Sequence, residues 1–157
     1  MALPAGLQPV SLGTQVVARM LTLTGADTVT IRLEDLAPED QMPPNCYRLP
    51  GLWLTPDGHE RMAAALSYPC SEQLAAKLFV AMTVLLRPTS ESSEERELRL
   101  GATAKRLACY PKLVVQAVLE HWGDTEQWVP AWADLKQRLD EAESAIRVYV
   151  AKGAWTR

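Results

Sequence analysis

HWGDTEQWVPAWADL, His121–Leu135, places Trp122, Trp128 and Trp132 within eleven residues of a chain that holds only five tryptophans. A proline and a glycine sit among them. Gly123 reads as a helix stop and Pro130 as a helix start, because proline needs no N–H donor at a first helical turn. The stretch therefore reads as an αα-corner: Trp122 ends one helix, Trp132 begins the next, and Trp128 lies in the loop "DTEQWV". A large ring buries about 150–250 Å², enough to fix the angle between two helices. Trp122 and Trp132 are the expected core rings. Trp128 flanks polar residues and is the expected exposed one.

Helical signals extend outward from this corner. Upstream, "YPKLVVQAVLEHWG" carries an inner stripe of Leu113, Val114, Ala117, Val118 and Trp122, with Pro111 at the first helical position. Downstream, Trp132, Leu135, Leu139, Ala142, Ile146 and Tyr149 keep helical spacing to about Val150. Ser90, Ser92 or Ser93 caps "EERELRLGATAKRLA", which has acids in its first turn and Lys105 and Arg106 in its last. Its expected apolar face is Leu98, Leu100, Ala104, Leu107 and Ala108. Ser71 caps "EQLAAKLFVAMTVLL", whose Leu74, Leu78, Met82 and Leu85, widened by Phe79, Val80 and Val84, make it the helix expected to be most buried. Thr55 or Asp57 caps a helix through about Ser67. "LSYPCSEQLAAKL" and "LACYPKLVVQAVL" both set Tyr-Pro before an apolar helix, at a 42-residue offset. Two divergent copies do not make a repeat. Proline starting the helix and tyrosine packing beside it explain the echo.

The N-terminal third is less regular. Thr14–Leu23 fits a short helix capped by Ser11 or Thr14 and ended by Gly25. Thr28–Leu36 alternates apolar and polar like a strand, and Leu52–Leu54 is its candidate partner. Four prolines between Pro38 and Pro50 exclude a regular helix there. The expected organisation is a mostly α protein. Residues 1–56 form an irregular module with a short helix and a candidate β-hairpin. A five-helix bundle spans 57–150, and a frayed tail spans 151–157.

The formal charge is −3 and the pI about 5.4. By region the charge is −3 over residues 1–58, +1 over 59–110 and −1 over 111–157, so no segment is strongly basic. This opposes a DNA-binding regulator, because such proteins neutralise several phosphates with clustered bases. Cys46, Cys70 and Cys109 are far apart, and with two histidines they give no zinc spacing. The odd cysteine count and the lack of a signal sequence fit a reducing cytoplasm. The longest apolar stretch, Leu74–Leu86, is interrupted by Lys77 and is too short to cross a bilayer. No glycine-rich loop precedes Lys-Ser or Lys-Thr, "HERMA" lacks a second histidine, and no nucleophile elbow occurs. The acidic pairs Glu94–Glu95 and Asp140–Glu141 belong on wet helix faces. No enzyme, metal or cofactor is expected. The candidate contact residues for a protein partner are Trp128 first, then His121, Tyr110, Lys105 and Arg106. His121 sits at a helix end, where the macrodipole favours its charged form and where it can simply cap the terminus. Tyr110 lies within "KRLACYPK", which concentrates three bases.

The stretch Arg106–Asp140, RLACYPKLVVQAVLEHWGDTEQWVPAWADLKQRLD, resembles a pattern common in small phage and prophage proteins. There a helix ends in a short Tyr/Leu-x-Pro-like turn, a second helix ends in Trp, and a short loop leads into aromatic-x-Pro-x-x-x-x-Leu, which starts a third helix. Tyr110-Pro111, Trp122, Pro130, Trp132 and Leu135 carry the likeness, over about a fifth of the chain. The layout is similar to that of phage helicase loaders lacking an ATPase site. The resemblance implies a non-enzymatic accessory protein in the host cytoplasm that binds a DNA-replication protein, the replicative helicase foremost. The alternative is a phage-encoded inhibitor that blocks a host or defence complex.

The charge distribution predicts duplex DNA binding weaker than about 10 μM at physiological salt. A gel shift with random duplex and single-stranded oligonucleotides measures it. Tight, salt-sensitive binding lost on Lys105→Glu and Arg106→Glu would instead make the protein a DNA binder.

Overall fold

The computed structural model describes residues 12–25, 28–30, 52–54 and 56–153. The chain is mostly helical. The described elements are α1 (Leu12–Thr24), β1 (Thr28–Thr30), β2 (Leu52–Leu54), α2 (Pro56–Leu66), α3 (Glu72–Val84), α4 (Ser93–Leu107), α5 (Lys112–Thr125) and α6 (Trp132–Gly153). They fall into two compact units, one of Met1–Ala64 with Glu141–Arg157, the other of Ala65–Asp140. No described helix is long and apolar enough to cross a membrane.

In the first unit, α1 buries Val16, Val17, Met20 and Leu21, a one-sided stripe at helical spacing. Gly25 stops the helix at φ +62°, a conformation that costs glycine little, and its N–H returns to the Thr22 carbonyl at 3.2 Å. The Thr24 hydroxyl, within reach of the Met20 carbonyl at 3.0 Å, lies against the Met62 sulfur at 2.9 Å, and Arg61 donates to the Gly25 carbonyl at 2.7 Å. These contacts tie the end of α1 to α2. Thr28–Thr30 pairs antiparallel with Leu52–Leu54, Val29 opposite Trp53. The expected strand reached Leu36, and the proline-rich tract ran to Pro50. Residues 31–51 lie outside the described residues, as do Ser11 and Thr55.

The second unit is built on paired Tyr-Pro segments. The Cys70 N–H donates to the Tyr110 carbonyl at 3.1 Å, and the Lys112 N–H donates to the Tyr68 carbonyl at 2.9 Å. Pro69 and Pro111 thus face each other in a one-residue antiparallel bridge. Prolines fit this position because the flanking residues supply both donors. The echo in the sequence is therefore a physical contact, beyond the local helix-starting role expected of it. Pro111 sits at the N-cap of α5, one residue before its expected place, so its carbonyl rather than its ring opens the helix.

Ser71 caps α3 by accepting from the Leu74 N–H at 3.1 Å. Ser92, of the three candidate serines, caps α4 by accepting from Glu95 at 3.1 Å. The most buried helix is α5, not α3. In α5, eight residues are buried, including the whole expected stripe. In α3 only Ala75, Phe79 and Met82 are buried, while Val84 is 76 % exposed. The apolar residues of α3 ring the helix instead of forming one stripe, and α4 and α5 cover one side of it. Leu98 of α4 is likewise turned outward, at 70 % exposed; the face that packs is Thr103, Ala104 and Leu107. Gly123 does not stop α5, which continues to Thr125 with Glu126 as its C-cap. A Cβ at Gly123 would come within 3.1 Å of Leu85 Cδ1 and 3.6 Å of Met82 Cγ. Glycine is here for the close approach of α3, not for a left-handed turn.

Leu107→Ala is expected to cost about 2–5 kcal/mol through the cavity it leaves. Leu98→Ala should change stability by less than about 0.5 kcal/mol. Urea melts of both variants read this directly, and comparable losses would mean that the packed face of α4 is misassigned.

Candidate functional site

Each tryptophan of the corner lies beneath an arginine from another segment. Trp122, on the last turns of α5, is buried, with the Arg138 guanidinium 4.1 Å from its ring centroid. Its indole N–H donates to the Trp128 carbonyl at 2.8 Å. Arg138 also bonds Glu126 at 2.6 Å, so α6 is tied to the C-cap residue of α5. Trp132, the first residue of α6, is half-buried under Arg106, 5.4 Å from its centroid. Trp128 is 60 % exposed, with Arg87 at 5.1 Å. An arginine over a ring contributes about 0.5–1 kcal/mol at an exposed site and about 2 kcal/mol once desolvated. The pair under Trp122 is therefore structural, and the two outer pairs set ring orientation more than stability.

The expectation that Trp122 is core holds. Trp132 is half-buried under an arginine tip, so it is not the second core ring that the corner called for. Trp128 is exposed as expected, but it is not mobile ornament. Its carbonyl is fixed by Trp122, and the preceding Gln127 carbonyl accepts from the Arg87 N–H at 2.8 Å. A large ring is thus presented to solvent on a backbone held from two sides.

The other candidate residues are placed separately. His121 is 3 % exposed and offers no surface to a partner. It lies one turn before the end of α5, where its carbonyl accepts from the Thr125 hydroxyl at 2.8 Å. Tyr110 is half-buried and donates to Asp140 at 2.6 Å. Hydrogen bonds from Lys136 and from Tyr110 hold the Asp140 carboxyl below the ordinary carboxylate range. Lys105 and Arg106 are exposed on the last turn of α4. Among the described residues no hydrogen bond, ion pair or ring contact joins Trp128 to Tyr110, Lys105 or Arg106. Burial pushes the Cys70 thiol up, Lys112 pulling weakly the other way, so it is held protonated. No three potential metal ligands cluster among the described residues.

Two adjoining clefts open beside the corner, and sequence reasoning found neither. One, of about 460 Å³, runs between the end of α3 and the start of α4 and includes Val80, Val84, Leu86 and Leu100. The other, of about 410 Å³, lies between α4 and the start of α6 and includes Arg99, Thr103, Arg106 and Trp132. Phe79, Arg99 and Val129 line both. The only sequence signal was the surplus of apolar residues around α3, which was read as burial. Comparisons with protein-family models, with curated proteins and with solved structures gave no match.

The burial order predicts that Trp122→Ala costs about 3–5 kcal/mol and Trp132→Ala about 1–2 kcal/mol. Trp128→Ala should stay below about 1 kcal/mol. Denaturant melts of the three variants rank them, and a Trp132 loss equal to that of Trp122 would restore it to the core.

Proposed function

We propose that this chain is a non-enzymatic accessory protein that acts by binding another protein, with Trp128 as the anchor of the contact. One observation carries the reading: a tryptophan 60 % exposed on a backbone fixed by Trp122 and Arg87. Exposed large rings are costly to hydrate, and rigid tryptophans flanked by arginine are typical interface hot spots. A rigid ring loses little conformational freedom on binding, so more of its burial appears as affinity. The Arg106–Asp140 likeness to phage helicase loaders makes the replicative helicase of the bacterial host the partner proposed here. In that role the protein adds a docking surface to a replication complex and performs no chemistry itself.

Purified helicase immobilised on a sensor surface tests the proposal. Trp128→Ala should weaken binding by about 30-fold or more, the hot-spot threshold of about 2 kcal/mol, with an unchanged melting temperature. Equal affinity of the variant and the parent would remove Trp128 as the anchor. No binding by the parent would remove the helicase as the partner.

A further inference from the structure

The cleft between α4 and α6 is lined by two arginines and a threonine. On α4, Arg99, Thr103 and Arg106 follow at helical spacing and all line it. Arg99 shares its guanidinium with Glu91 at 2.9 Å. Arg106 has no carboxylate partner among the described residues. Thr103 is 8 % exposed, and its hydroxyl makes no hydrogen bond among the described residues, although it borders the cleft. Its hydroxyl oxygen is open to the cleft, where a bound group can reach it. The opposite wall is the N-terminus of α6, whose first helical bond runs from the Leu135 N–H to the Ala131 carbonyl at 3.1 Å. Ala131 has no side-chain oxygen with which to cap the first-turn amides, and it too lines the cleft. A helix N-terminus attracts negative charge, and Asp134 in the first turn of α6 already supplies one carboxylate there.

The neighbouring cleft is mostly apolar, with Val80, Val84, Leu86 and Leu100 among its walls. Together the two are lined by four arginines, Arg87, Arg96, Arg99 and Arg106, against two glutamates, Glu91 and Glu97. This is a local positive surplus in a chain of net charge −3. We propose that the joined clefts bind an acidic, amphipathic peptide segment of the partner protein. A carboxylate sits between Arg99, Arg106, Thr103 and the start of α6, and adjacent apolar side chains lie against Val80 and Val84. The inference rests on the protein-binding reading above and names the chemistry of the bound segment. A nucleic acid fits less well. Its backbone carries a charge at every step, whereas the second cleft sets aliphatic side chains and two glutamates among its three arginines.

Fluorescence anisotropy on the full chain tests it with three labelled probes. One is a synthetic peptide of roughly twelve residues, a length that spans such a groove, mixing Asp with Leu and Phe. The second has every Asp replaced by Asn, and the third is an oligothymidylate of similar length. The acidic peptide should bind about tenfold or more tightly than the Asn peptide and the oligonucleotide, a difference of about 1.4 kcal/mol. Arg106→Gln, Thr103→Val and Val84→Asp should each weaken it severalfold, whereas Lys77→Gln, exposed on α3 and lining neither cleft, should not. The inference is overturned by no binding of the acidic peptide, by equal binding of the Asn peptide, by tighter binding of the oligonucleotide, or by equal effects of Arg106→Gln and Lys77→Gln. Helicase binding that depends on Trp128 is read separately. Its survival alongside a negative peptide result would remove only the acidic segment, and its loss alongside a positive one would remove only the helicase.

Discussion

Two backbone hydrogen bonds hold the second unit in register: Cys70 N–H to Tyr110 C=O and Lys112 N–H to Tyr68 C=O. They bring the starts of α3 and α5 together. At the far ends of the same helices, Gly123 lies against Leu85 and Met82. The helices therefore run side by side in the same direction, joined at both ends. Removing a side chain at Gly123 costs helix propensity, about 1 kcal/mol relative to alanine, and the close contact is what offsets it. With α3 and α5 fixed, the segment after α3 passes the corner loop, and the Arg87–Gln127 backbone bond closes between them. The presented ring of Trp128 is the last consequence of a constraint set some sixty residues earlier at Tyr68.

The three tryptophans illustrate how magnitude separates structure from function. Full burial of a ring of about 150–250 Å² at about 25 cal/mol per Å² contributes roughly 4–6 kcal/mol. Trp122 collects most of that, together with a satisfied indole N–H. Trp128 collects little, and its cation–π contact is worth about 1 kcal/mol at most in water. Stability alone gives no reason to hold an indole in solvent. On the function proposed above, its fixed backbone supplies a binding surface whose ordering cost is already met in the folded state.

Local signals in the sequence are legible, and nonlocal ones are not. The caps Ser71 and Ser92, the stop at Gly25 and the stripe of α5 are legible because each depends on residues within one or two turns. The errors share one cause. Leu98 and the outer residues of α3 are apolar, but which face is covered depends on where α4 and α5 come to lie. Gly123 has the composition of a helix stop, and only the proximity of Leu85 reveals its packing role. Trp132 begins α6 as expected, yet Arg106, twenty-six residues away, decides that it stays half-buried. The exposure of Trp128 is legible from its polar flanks. The burial of His121 is not, because a helix-terminal histidine and a buried one look alike in sequence. The clefts have no linear signature at all, since Arg99 and Arg106 meet Ala131 and Trp132 only through the fold.

Net charge misleads in the same way, because it averages over distances that the solvent screens. At physiological ionic strength the Debye length is about 8 Å. A group seated between Arg99 and Arg106 responds to those guanidiniums, to Glu91, and to the start of α6 with its Asp134, and hardly to acids elsewhere on the chain. An acidic pI therefore argues against gripping a long phosphate backbone, where many bases must act along an extended track. It does not argue against capturing one carboxylate. A partly dry cleft strengthens each such contact, and an arginine fork matches a carboxylate geometrically. Selectivity then follows from the mixture of walls. A purely charged ligand leaves Val80 and Val84 facing water, and a purely apolar one leaves Thr103 and Arg106 unsatisfied. Only a segment carrying both kinds of group satisfies both clefts at once.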